Sequence, residues 1–138
     1  MTLEPLLHAP IAVKVHVATI VPAFLIGTWQ IFFSTKGAPL HRVLGAVYLS
    51  LMTITAVAAY FIRDPYITNP FSLRGFSWLH VFVLVTLFGV GSTIYALLTH
   101  NRRAHRGSML GLYIGGILIA GALAFTPGRI MHAVTFGN

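Results

Sequence analysis

The sequence contains no cysteine, so a disulfide framework, a Cys-ligated zinc or iron–sulfur site and a thiol nucleophile are all excluded. Acidic residues are almost as scarce. Glu4 and Asp64 are the only two in 138 positions, which leaves no carboxylate pair for general acid–base work. Charged residues of either sign make up only 8%, against 57% hydrophobic residues, and the mean hydropathy is +0.83. A water-soluble domain of this size does not carry that composition; a membrane protein does. The net charge of +7 would suggest nucleic acid in a soluble chain. Here the Lys and Arg residues fall in short connectors between apolar runs, where bilayer orientation accounts for them, and nucleic acid is excluded as a partner.

A bilayer core takes about 20 mainly apolar residues per helix. Such runs extend over roughly 11–33, 44–62, 76–99 and 108–126, so the expected architecture is all-α: a single transmembrane domain over 1–138. Ser34 to Pro39 forms a tight turn in which Gly37 and Pro39 stop one helix and release the next. Asn101 to Arg106 makes a similar polar turn. The chain therefore reads as an integral membrane four-helix bundle made of two helical hairpins. The link from Arg63 to Gly75, with Pro65, Tyr66, Pro70 and Phe71, reads as an irregular connector at the membrane surface. The N-terminus lacks a basic n-region and its first apolar run can span, so no cleavable signal peptide is expected. The two turns carry Lys36, Arg42, Arg102, Arg103 and Arg106; the opposite face carries Lys14, Arg63, Arg74 and Arg129, diluted by both acids. That bias puts the termini outside.

Sliding the sequence by 64 residues superposes His16-Val17 on His80-Val81, Phe24 on Phe88, Gly27 on Gly91 and His41-Arg42 on His105-Arg106. Apolar coincidences are cheap in such a sequence, so the weight rests on two His, one Arg and one Gly falling into register together. Hairpins related by translation along the chain run parallel. His16 and His80 then lie near one membrane face and His41 and His105 near the other, about 25 Å apart at 1.5 Å per residue.

A neutral imidazole from each of two facing helices is the ligand set of a six-coordinate b-type haem, which carries electrons without binding substrate. Intramembrane ionisable residues are costly and usually functional; the alternative is four interfacial histidines leaning out to the headgroups. Gly27 and Gly91 each lie 11 residues beyond a histidine, where a missing side chain would admit a flat macrocycle or another helix. Arg42 and Arg106 could pair with haem propionates or with lipid phosphates. His8, His100 and His132 read as solvated surface residues, and the tryptophans and tyrosines as an aromatic belt or helix packing.

The paired histidines on alternating helices, with His41-Arg42-Val43-Leu44-Gly45 opening the second, resemble the cytochrome b561 family of transmembrane dihaem electron carriers. A second resemblance covers most of the chain. The segment Leu-His-Arg-x-x-Gly-x-x-Tyr (Leu40 to Tyr48), His105 to Met109 and the tail Pro127 to His132 look like those of small bacterial four-helix membrane proteins grouped as a domain of unknown function. The first resemblance implies one or two b haems held by His16, His80, His41 and His105, with Arg42 and Arg106 beside them; only 25 residues separate the ligands within each hairpin, fewer than in that family.

The function expected is bis-histidine electron transfer, as a membrane oxidoreductase component exchanging electrons with quinone or another membrane redox protein. The alternative is a non-catalytic subunit or assembly partner of a larger respiratory or photosynthetic complex. A proton or small-molecule carrier ranks last, since helices two and four offer only Ser50, Thr53, Thr55 and glycines at the midplane. The expected location is the bacterial inner membrane, multi-pass, with periplasmic termini and the lipid bilayer as solvent.

Overall fold

The computed structural model describes residues 2–62 and 80–137. The connector Arg63 to Gly75, the start of the third apolar run and Trp78 lie outside the described residues. Those described are helical and loop only, without strands. A short α1 (Glu4–Leu7) precedes α2 (Ile11–Phe32), α3 (Pro39–Phe61), α4 (Val81–Leu98) and α5 (Arg102–Tyr113). The fifth helix continues through a π-helical segment (Ile114–Ile119) into α6 (Ala120–Ala124), and α7 (Ile130–Phe136) closes the chain. Among the described residues, four stretches are long and apolar enough to cross a membrane: Ile11–Phe32, Pro39–Phe61, Val81–Leu98 and Arg102–Ala124. At 18 to 23 residues they rise about 27 to 35 Å, against a hydrocarbon core of about 30 Å.

The second and fourth spans begin earlier than hydropathy alone suggests. Pro39 sits at the first helical position of α3, where its missing N–H costs nothing. Asn101 caps α5, its side chain accepting from Ala104 N at 3.0 Å. His41, Arg42 and the whole run Arg102 to Arg106 are consequently helical, and the second turn shrinks to Thr99–Asn101. That turn is tight because His100 adopts a left-handed φ of 53°, with Asn101 N bonding Ala96 O at 2.9 Å and His100 N bonding Leu97 O at 3.2 Å. In the first turn Gly37 (φ 84°) takes the left-handed position, and Lys36 Nζ folds back onto the carbonyls of Gln30 and Ile31, capping α2.

Each hairpin packs knob into notch. In the first, Tyr48 sits over Gly27, Gln30 over Gly45, and Ser34 beside His41, each pair one turn further towards the connecting loop. In the second, Leu112 sits over Gly89 and Thr93 bonds Ser108 at 2.9 Å. The hairpins join through Met52, whose Cε would lie 2.9 Å from a Cβ at Gly116, and through Tyr113, whose ring reaches Gly27 from across the bundle. Gly116 is the residue 64 positions beyond Met52. The two hairpins therefore run parallel and at the same depth. Ala23, Tyr48, Met52, Val90, Leu112, Tyr113 and Ile117 form the core.

The outward faces are apolar along every span. On α4, Leu84, Phe88, Tyr95 and Leu98 are 69–78% exposed, an apolar stripe suited to lipid. The opposite stripe, Val83, Thr86, Val90, Thr93 and Ala96, is buried. Gly91 belongs to the lipid stripe and nothing lies within 4 Å of a Cβ built on it, whereas its counterpart Gly27 is buried. Leu112 takes Gly89 instead. Two residues turn a helix by about 200°, so the sequence repeat at the glycines is not a repeat of packing.

Candidate functional site: two histidine ends of a membrane bundle

His41 lies in the first turn of α3, half-buried, with Nδ1 2.9 Å from Ser34 Oγ while its carbonyl accepts from Gln30 Nε2 at 2.8 Å. The hydroxyl partner fixes the ring and leaves Nε2 as its other nitrogen. His105 lies in the first turn of α5, half-buried, and its Nδ1 is shielded from solvent with no hydrogen-bond partner among the described residues. Both histidines lie at the turn end of the bundle, in the first turns of α3 and α5. They occupy equivalent positions of the two parallel hairpins. Arg42 and Arg106, each following one of these histidines, are exposed.

At the other end, His16 faces α3 and its Nδ1 lies 3.0 Å from the Thr55 carbonyl. A carbonyl accepts only, so Nδ1 carries the proton and Nε2 is the basic nitrogen. Thr19 Oγ1 and Thr55 Oγ1, 2.7 Å apart, extend this polar seam. His80 is the N-cap of α4, half-buried. Thr55 stood out in the sequence only as a polar residue of the second helix; the carbonyl that bonds His16 carries no sequence signal.

Between the two ends the bundle is closed. A Cβ on Gly27 would lie 2.8 Å from Tyr113 Cδ2 and 2.9 Å from Tyr48 Cε2. Of the two occupants expected for that notch, a macrocycle or another helix, it holds helix side chains, and Gly91 opens outward. Tyr113 is held by Thr28, hydroxyl to hydroxyl at 2.7 Å, and stacks on Phe24 with centroids 6.3 Å apart. Tyr48 OH and Gln30 Oε1 are buried and without partners among the described residues. Gln30, the one buried amide of α2, was not a candidate in the sequence because nothing in its spacing distinguished it.

These observations decide which groups suit a haem. The donor chemistry is right at the turn end, where two neutral-capable imidazoles from different hairpins share a depth and one has an orphaned ring nitrogen. At the far end His16 has the N–H to carbonyl bond that orients a ligating imidazole. The mid-bundle notch offers no room for a macrocycle. No group of three or more His, Cys, Asp or Glu residues that could hold a metal ion occurs among the described residues.

Four apolar spans, short turns and lipid-facing stripes define a multi-pass integral membrane protein of helical-bundle type. Residues 13–135 match the family described as predicted membrane protein, DUF2306, and the chain belongs to that family. No curated protein and no solved structure matches it.

Proposed function

We propose that this protein is a transmembrane electron carrier that holds b-type haem through histidine pairs, with His41 and His105 forming the turn-end site and His16 and His80 the other. The observation that carries the reading is the turn-end pair: equivalent residues of two parallel hairpins, one of them with a buried ring nitrogen that has no partner among the described residues. A bound haem would supply one-electron chemistry; the chain's own contribution is to fix the imidazoles by Ser34 and by the Thr55 carbonyl, to surround them with apolar helix and to offer Arg42 and Arg106 to propionates. The arrangement is similar to that of cytochrome b561. Quinone or a membrane redox protein is the proposed exchange partner and the bacterial inner membrane the proposed location, with periplasmic termini as the orientation that the basic turns support.

The filled Gly27 notch favours a second reading, in which the bundle is a non-catalytic subunit that docks a larger complex. One spectrum separates the two. Protein expressed with sufficient haem and purified in mild detergent is expected to give a sharp reduced-minus-oxidised α band, lost or halved in His41→Ala and His105→Ala. A colourless protein that co-purifies with large partners, unchanged by those substitutions, overturns the haem reading.

A further inference from the structure

The two turn-end histidines are equivalent in the 64-residue repeat, but the hairpins do not hold them alike. His41 is gripped at two points. Ser34 Oγ lies 2.9 Å from its Nδ1, and Gln30 Nε2, from a buried residue of α2, donates to its carbonyl at 2.8 Å. Lys36 Nζ donates in turn to the Gln30 carbonyl and ties the loop into the same clasp. In the second hairpin the counterparts of Gln30 and Ser34 are Ile94 and Leu98. Neither side chain can make a hydrogen bond, and at 46% and 73% exposed they face outward. The His105 carbonyl accepts from Ser108 Oγ at 3.1 Å within its own helix, and Ser108 accepts from Thr93. The His105 Nδ1 is shielded from solvent and has no partner among the described residues.

This imbalance bears on ligation. An imidazole binds a metal through one nitrogen, and a hydrogen bond made by the other fixes the ring and strengthens the bond; loss of such a partner typically costs about 10–100-fold in metal affinity. With Nε2 as the ligating atom, His41 donates Nδ1–H to Ser34 Oγ, whereas His105 buries an N–H without an acceptor, which is penalised. With Nδ1 of His105 as the ligating atom, the orphan is satisfied, but the ring still lacks the hydroxyl that Ser34 gives His41. We infer that His41 is the permanent ligand of the turn-end haem and His105 the displaceable one, so that the site admits a small neutral diatomic molecule in place of His105. The inference rests on the haem reading proposed above and adds ligand binding to it. A carrier with two firm histidines leaves no position free; one weak histidine opens a position on demand. The exchange trades one lone-pair donor for another, so it needs no oxidant, reductant or proton.

Two measurements test this, the first on protein without haem. In histidine-labelled protein, with signals assigned through His41→Gln and His105→Gln, nuclear magnetic resonance is expected to show a sharp His41 ring signal that broadens in Ser34→Ala, and a His105 signal that is broad in both. In haem-loaded protein, transfer of haem to excess apomyoglobin should be at least about 10-fold faster from His41→Ala than from His105→Ala. Carbon monoxide added to the dithionite-reduced protein is expected to shift the Soret band, at severalfold lower concentration in His105→Ala, where no imidazole competes. Equally sharp ring signals, equal haem transfer, no response to carbon monoxide, or a response that His105→Ala leaves unaltered overturns the inference while the haem reading stands. A protein that is colourless after haem-sufficient expression overturns both.

Discussion

Substituting alanine at Gly27 and, separately, at Gly91 tests the packing asymmetry between the hairpins. The two glycines are equivalent in sequence, so a bundle that repeated its packing would respond equally. At Gly27 the added Cβ meets ring carbons at 2.8, 2.9 and 3.1 Å, whereas carbon atoms rest at about 3.5–4.0 Å. Neither ring can retreat freely: Tyr48 is 1% exposed, and Tyr113 is tied to Thr28 at 2.7 Å. Overpacking of this kind costs about 1–3 kcal/mol, offset by about 1 kcal/mol from the better helix propensity of alanine. Gly91 gains the same propensity and meets nothing. The expected outcome is a loss of about 1 kcal/mol for Gly27→Ala and a gain of up to about 1 kcal/mol for Gly91→Ala, a gap of about 2 kcal/mol. Reversible unfolding in mixed micelles, followed by tryptophan fluorescence, measures both. Equal shifts would refute the rotation of α4 relative to α2.

Three further outcomes follow from individual contacts. Removing the Tyr48 hydroxyl, which has no partner among the described residues, in Tyr48→Phe should leave stability unchanged or raise it by up to about 1 kcal/mol, while Tyr113→Phe, which removes the bond to Thr28 and leaves Thr28 donating to the Phe24 carbonyl, should lower it by about 1 kcal/mol; thermal melts in detergent compare them. His100→Gly should stabilise the second turn by about 1 kcal/mol, because glycine takes the left-handed conformation without penalty, and His100→Ala should not; the same melts read this out. Ser34→Ala should leave the fold intact and loosen the His41 ring, seen as a broadened imidazole signal in nuclear magnetic resonance of histidine-labelled protein.

The architecture was legible because each of its causes is local. Twenty-residue apolar runs, Gly37 with Pro39, and Asn101 before a helix announce spans and turns without reference to the rest of the chain. The parallel run of the hairpins was legible too, since it follows from the histidine and arginine register and reappears in the contact of Met52 with Gly116. The facing of α4 was not. Gly89 and Gly91 are both glycines in an apolar helix, and only the side chain arriving from α5, Leu112, distinguishes the notch from the lipid face. The Thr55 carbonyl that holds His16 was equally invisible, because every residue has a carbonyl. The apolar runs begin at Leu44 and Ser108 while α3 and α5 begin at Pro39 and Arg102, because hydropathy follows burial in lipid and the backbone follows Pro39 at the first helical position and the Asn101 cap.

The meeting of Met52 with Gly116 shows what joining two hairpins in one polypeptide permits. Two identical hairpins arranged side by side about an axis normal to the membrane would present the same amino acid to each other at this point. A pair of methionines would collide and a pair of glycines would leave a hole, so a symmetric assembly has to settle for a compromise size. Once both halves are encoded separately, one can grow while the other shrinks, and a snug interlocking fit becomes accessible to a protein whose halves still carry their histidines in step.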